Sequence, residues 1–146
     1  MTLIEYKKAG LKYEFLEKFD AGIELTGSEV KSVKSHQGTL DGAHVIVRGG
    51  EVYLVGAHIP PYQPKNMPKN YDANRTRKLL LTRKEIDELG IQEQKRGLTI
   101  VPISMYNKGS KIKVSLAVAR GKKKFDKRET LKKRDAKRDI ERTLKS

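Results

Sequence analysis

The sequence predicts a mainly β protein: a small closed β-barrel with an embedded short helix, a second short helix and a basic C-terminal tail. Three observations carry this. Short runs with alternating apolar and polar residues recur at close spacing, as strands with one buried face require. Two capping-box patterns mark brief helices between those runs. Finally, charge density jumps within "SLAVARGKKKFDKRETLKKR": residues 121–146 hold 12 Lys/Arg against 5 Asp/Glu, whereas residues 1–120 hold 20 against 13. A body over 1–120 and a tail over 121–146 follow from that contrast. A barrel suits so many short strands because closing the sheet leaves no exposed edge.

In chain order, "KYEFLEKFDAGIELTG" is extended, with Tyr13, Phe15 and Phe19 at even spacings and then Ile23 and Leu25. A bulge or bend at Ala21-Gly22 accounts for the interruption. "TGSEVKSVKSH" opens a helix of two to three turns, with Thr26 and Glu29 as capping box, Val30 and Val33 as apolar stripe, and Lys31 and Lys34 flanking it. "AHVIVRGGEVYLVGAHI" is a hairpin turning at Gly49-Gly50. The proline-rich "PPYQPKNMPKNYDAN" is a loop, and "RTRKLLL" enters a strand. "TRKEIDELG" is the second helix, capped by Thr82 and Glu85 and closed by Gly90 at its C-cap. "LTIVPISMY" and "KIKVSLAVA" form a second hairpin around "NKGS"; in its last strand, which ends at Ala119, Ile112, Val114, Leu116 and Val118 point inward and Lys111, Lys113 and Ser115 outward.

The residues argue against several function classes. There is no cysteine, hence no disulfide, thiol nucleophile or cysteine-based zinc site. His36, His44 and His58 lack metal-ligand spacing and are expected in structural roles, so no metal or other cofactor is expected. Neither phosphate-binding glycine loop is present. Asp87 and Glu88 fit a solvated helix face, and no catalytic constellation emerges. No apolar run approaches membrane-spanning length and the start lacks a signal-peptide core, so the expectation is a cytosolic protein that is not an enzyme.

A net charge of +14 points instead to a polyanion, because basic side chains that neutralise phosphates release condensed counterions. "NRTRKLLL" puts Arg75 and Arg77 on one side of a strand and Lys78 and Leu80 on the other. Two readings of the arginines stand: phosphate and base recognition, or charges that protect a sheet edge. The tail has helix-forming composition and the i,i+4 pairs Glu129–Lys133 and Glu141–Lys145, but few apolar residues to dock. It is expected to be disordered when free and helical when bound to a polyanion. A merely solubilising tail is the alternative; Phe125, inside "GKKKFDKR", counts against it because base–aromatic stacking gives an aromatic a purpose there.

"AGIELTGSEVKSVK", "RTRKLLLTRKEI", "GLTIVPISMY" and "ARGKKKFDKRE" together resemble the SsrA-binding protein family, also called small protein B, over nearly the whole chain. The resemblance implies an oligonucleotide-binding (OB) type barrel that binds the tRNA-like domain of transfer-messenger RNA and brings it to the vacant A site of stalled ribosomes. It implies RNA contacts at Asp20 and Leu80, with phosphate contacts from Lys31, Lys34, Arg75, Arg77 and Lys78. It makes Gly121 a hinge and Lys122, Lys123, Lys124, Phe125, Asp126, Lys127 and Arg128 a tail that engages the decoding centre and mRNA channel. Alanyl-tRNA synthetase and elongation factor Tu are implied only indirectly, through the RNA, and the protein is expected to be monomeric. Tyr6 and Ala73 depart from the family pattern, which leaves N-terminal and loop contacts without a carry-over. The rival readings are a generic barrel-type RNA binder of the translation apparatus and, behind it, a DNA-associated protein.

Overall fold

A computed structural model describes residues 2–63 and 70–122. Seven strands, all paired antiparallel, form one sheet: β1 (Thr2–Glu5), β2 (Tyr13–Ile23), β3 (His44–Arg48), β4 (Glu51–Val55), β5 (Arg77–Leu80), β6 (Leu98–Lys108) and β7 (Lys111–Gly121). Among the described residues three helices accompany them: α1 (Ala9–Lys12), α2 (Gly27–Lys34) and α3 (Arg83–Gln94). The strand order is β1-β6-β3-β4-β5-β2-β7, and β7 also pairs with β6, so the pairings return on themselves. The seam is narrow, since β3 meets β6 at Val45–Ile100, while β1 takes the later part of the same edge.

The alternation seen in the sequence explains the interior. Val45, Val52, Leu54, Leu79, Ile100, Met105, Val114 and Leu116 alternate inward from five strands and are all buried. Both predicted hairpins form. Gly49 and Gly50 both take positive φ (59° and 77°), as a two-residue turn matched to strand twist demands, and Arg48 pairs Glu51 across it. Gly109 turns the second hairpin, with φ of 63°. Both capping boxes form: the Thr26 and Thr82 side chains accept from the backbone N–H groups of Glu29 and Glu85, whose carboxylates accept in return.

Four expectations need correction. β2 runs unbroken through Ala21-Gly22, and its irregularity falls between Phe15 and Glu17, leaving Leu16 half-exposed. Phe19 and Ala21 are buried on the same alternate positions as the half-buried Tyr13 and Phe15. Gly90 does not cap α3, which continues to Gln94; a Cβ at Gly90 would stand 3.7 Å from Val47, an ordinary van der Waals contact, so a side chain would fit there. β7 does not end at Ala119: Arg120 and Gly121 continue it, opposite Glu14 and Tyr13. Beyond it, the Lys122 backbone N–H donates to the Lys12 carbonyl and its Nζ to the Gly10 carbonyl, both at 2.8 Å. Gly121 is therefore a strand residue, and Lys122 is anchored to the body.

β1 and α1 were not expected. The register of β6 shifts between Pro102 and Ser104, and the carbonyl of Ile103 accepts the Tyr6 N–H at 2.8 Å. That bond holds the segment joining β1 to α1, and Tyr6 is buried. The expected behaviour of the tail, including Lys123, Lys124, Phe125, Asp126, Lys127 and Arg128, lies outside the described residues.

Candidate nucleic-acid interface

Side-chain alternation places Asp20 and Gly22 of β2, Lys113 and Ser115 of β7, and Lys78 and Leu80 of β5 on the outer surface. Register aligns them. Gly22 stands opposite Leu80 on one side and Lys113 on the other, and Lys113 stands opposite Tyr106 of β6. Leu80–Gly22–Lys113–Tyr106 is thus a continuous row across four strands. Gly22 makes the row low at its centre: a Cβ there would lie 3.2 Å from the Leu80 Cβ and 3.5 Å from its Cδ1, so Leu80 leans over the glycine. Leu80 remains 48% exposed, an unusual position for a large apolar side chain unless something covers it.

One row along, Asp20 pairs with Ser115, and its Oδ1 accepts a 2.9 Å hydrogen bond from the Tyr106 hydroxyl. Burial and the Asp20 carboxylate both raise the Tyr106 pKa, so the phenol stays protonated and donating. The acid is thereby oriented by a tyrosine, not by a basic side chain, and its other lone pairs are open to donors. Behind Leu80 lies an apolar groove of about 270 Å³ lined by Ile23, Leu25, Val30, Leu80 and Ile112, with Lys111 and Lys113 at its margin. Val30 belongs to α2, whose Lys31 and Lys34 are exposed. Lys78 pairs with Glu51 at 3.3 Å, both partly exposed, a contact weak enough to exchange for a phosphate. A larger cavity, about 470 Å³, lies between β1 and residues 36–41, and none of the expected contact residues lines it.

The structure moves the two arginines elsewhere. Arg77 is wholly buried, and its guanidinium donates to Glu29 Oε2 (2.7 and 2.9 Å) and to the carbonyls of Ala57, Ala73 and Arg75. Arg75, about one-third exposed, donates to both Glu29 oxygens and to the Glu24 carbonyl. The Tyr71 hydroxyl is shared between Glu29 and the Ile59 carbonyl. Burial pushes the Glu29 carboxyl up, but Arg75, the Thr26 N–H and Arg77 more than offset it and bring the pKa to about 2. Direct phosphate contact from Arg77 is corrected by this burial, and so is the edge-charge reading: its charge is consumed inside the fold. The reason is parity, since Arg77 shares the inward side of β5 with Leu79.

Sequence reasoning brought Asp20, Leu80, Lys78, Lys31 and Lys34 into one list, and the structure places Asp20, Lys78 and Leu80 on the same outer face. It missed Gly22 and Tyr106. Only strand register reveals them, because their neighbours come from β5 and from a strand some 80 residues away in sequence. Lys113 was legible as outward-facing from alternation alone. Two of the three histidines have structural partners: His36 Nδ1 lies 2.9 Å from the Leu3 carbonyl and His58 Nδ1 lies 2.8 Å from Asn74 Oδ1, while His44 is exposed.

Fold and face together define a class, a small basic β-barrel protein with the surface chemistry of an RNA binder. The chain belongs to the SmpB protein family, whose family model matches residues 3–146. It is 48% identical over 143 residues to an "SsrA-binding protein" of Gloeothece citriformis, covering 98% of this chain and 92% of the relative. It is 45% identical over 145 residues to an "SsrA-binding protein" of Trichormus variabilis, covering 99% and 94%. A solved chain from a study described as "tmRNA-SmpB: a journey to the center of the bacterial ribosome" superposes with a TM-score of 0.70 at 39% identity, covering 85% of this chain and 87% of that one.

Proposed function

We propose that this protein binds transfer-messenger RNA at its tRNA-like domain and serves ribosome rescue by trans-translation. The observation that carries the reading is the outer row itself: Leu80 presented over Gly22, with Lys113 beside it and Asp20 oriented by Tyr106, on a chain of the SmpB family. Leu80 supplies an apolar surface for an RNA base, and Asp20 accepts from base amino groups. Lys31, Lys34, Lys78 and Lys113 neutralise phosphates. Arg75 stays a candidate through its exposed edge.

In this reading the body replaces a missing anticodon arm, while residues 123–146 engage the decoding centre and mRNA channel of a ribosome with an empty A site. Phe125 stacks there, and Asp126, Lys127 and Arg128 discriminate the vacant site from an occupied one. The protein acts as a monomer in the cytoplasm and performs no bond chemistry; alanyl-tRNA synthetase and elongation factor Tu meet it only through the RNA. Because Lys122 is anchored to α1, the dividing cut belongs after Lys122. A chain ending there keeps its affinity for the tRNA-like domain and loses tagging on stalled ribosomes in a reconstituted translation system. Equal loss of both activities would contradict this division of labour.

A further inference from the structure

The cluster around Glu29 uses the largest concentration of buried charge in the described residues, and RNA contact does not account for it. Glu29 is 1% exposed and Arg77 is 0% exposed. Burying an ion pair is costly and is weak evidence of a stability role by itself, because apolar side chains of similar volume often serve as well. What an ion pair adds is a fixed geometry: two guanidinium nitrogens on one carboxylate oxygen tolerate little displacement.

The two residues sit next to the candidate contacts. Glu29 precedes Lys31 by two positions in α2 and Arg77 immediately precedes Lys78 in β5. Their 2.7 Å bond is therefore a cross-link between the element carrying Lys31 and Lys34 and the element carrying Lys78 and Leu80. The apolar groove between Val30 and Leu80 spans the same two elements. Further bonds tie α2 and β5 to both stems of the intervening loop: Ser32 Oγ donates to the Pro60 carbonyl at 2.7 Å, Tyr71 bonds Glu29, and Arg77 holds the carbonyls of Ala57 and Ala73.

We propose that Glu29 and Arg77 are positioning residues for RNA recognition: their buried pair sets the spacing between the α2 lysines and Leu80, and neither touches the RNA. The proposal rests on the functional reading above. It reverses the role that the sequence assigns to Arg77, since the positive charge acts on the protein's own geometry.

The test compares Glu29→Gln, Arg77→Lys and Lys34→Ala with the unsubstituted full chain. Binding to a transcript of the tRNA-like domain is measured across salt concentrations, and Leu80 methyl and Lys31 amide resonances are followed in the free proteins. Glu29→Gln and Arg77→Lys keep side-chain length and hydrogen-bonding atoms close to the originals, and thermal melts establish that each variant is folded and fix the assay temperature well below its transition. The expected result is a loss of about tenfold in affinity for both, with an unchanged slope of log affinity on log salt and shifted Leu80 resonances. Lys34→Ala instead lowers the slope by about one, as loss of a direct phosphate contact does. A slope lowered by about one in Arg77→Lys would overturn the proposal by revealing direct contact, and so would unchanged affinity together with unchanged Leu80 resonances. Failure of the functional reading looks different: the unsubstituted protein would itself fail to bind the transcript.

Discussion

Glu29 shows how one side chain serves three levels of structure. It completes the α2 capping box, it accepts from Arg75, Arg77 and Tyr71, and it does so with almost no solvent exposure. Removing it leaves Arg77 buried without its counter-charge, so Glu29→Ala should destabilise the fold by about 3–5 kcal/mol in urea unfolding. The pH dependence has a definite sign. Its carboxyl titrates at about 2 in the folded state, below the ordinary 4.5. The stabilisation is full above about 4.5 and is lost as pH falls toward about 2, because the unfolded chain takes up the proton first. The wild type should therefore lose stability through that window, and Glu29→Gln should lose less of it. Gly22 is the second telling residue. Gly22→Val pushes a branched side chain against Leu80, and RNA affinity should fall roughly fivefold with little change in melting temperature. Neither role was legible in the sequence. A capping glutamate looks the same whether or not two arginines from 46 and 48 residues away converge on it, and the importance of Gly22 depends on which residue β5 sets opposite it.

Among the elements, both long hairpins and the two capped helices were readable, because each rests on local chemistry: paired glycines with positive φ, strict alternation, and Thr-x-x-Glu. β1 and α1 have only four residues each, too few to display a period. Gly90 was misread because local rules assign glycine to a helix end, whereas α3 continues through it to Gln94. The two caps offer a comparison within one protein. Thr82→Ala opens an exposed box and should cost about 0.5–1 kcal/mol, while Thr26→Ala also loosens Glu29 and should approach about 2 kcal/mol, both measured by chemical denaturation. Equal costs would mean that the Glu29 cluster holds itself without its helix cap.

At the scale of the molecule, the proposed recognition face lies on the body, and a charge-dense segment follows Lys122. Charge counting marks a compositional boundary near residue 120, since composition is a bulk property that needs no fold. It did not locate the anchor, because the hydrogen bonds from Lys122 to Gly10 and Lys12 exist only once β2 and β7 are paired. The central claim, that the outer row around Leu80 binds the tRNA-like domain, is tested most directly by the affinity of Leu80→Ala for a transcript of that domain. Leu80 is half-exposed, so the variant should fold with wild-type stability. Truncation removes an apolar contact worth about 1–2 kcal/mol, and the account predicts binding about tenfold weaker at an unchanged salt slope. A Leu80→Ala protein that binds the transcript as tightly as the wild type would contradict it.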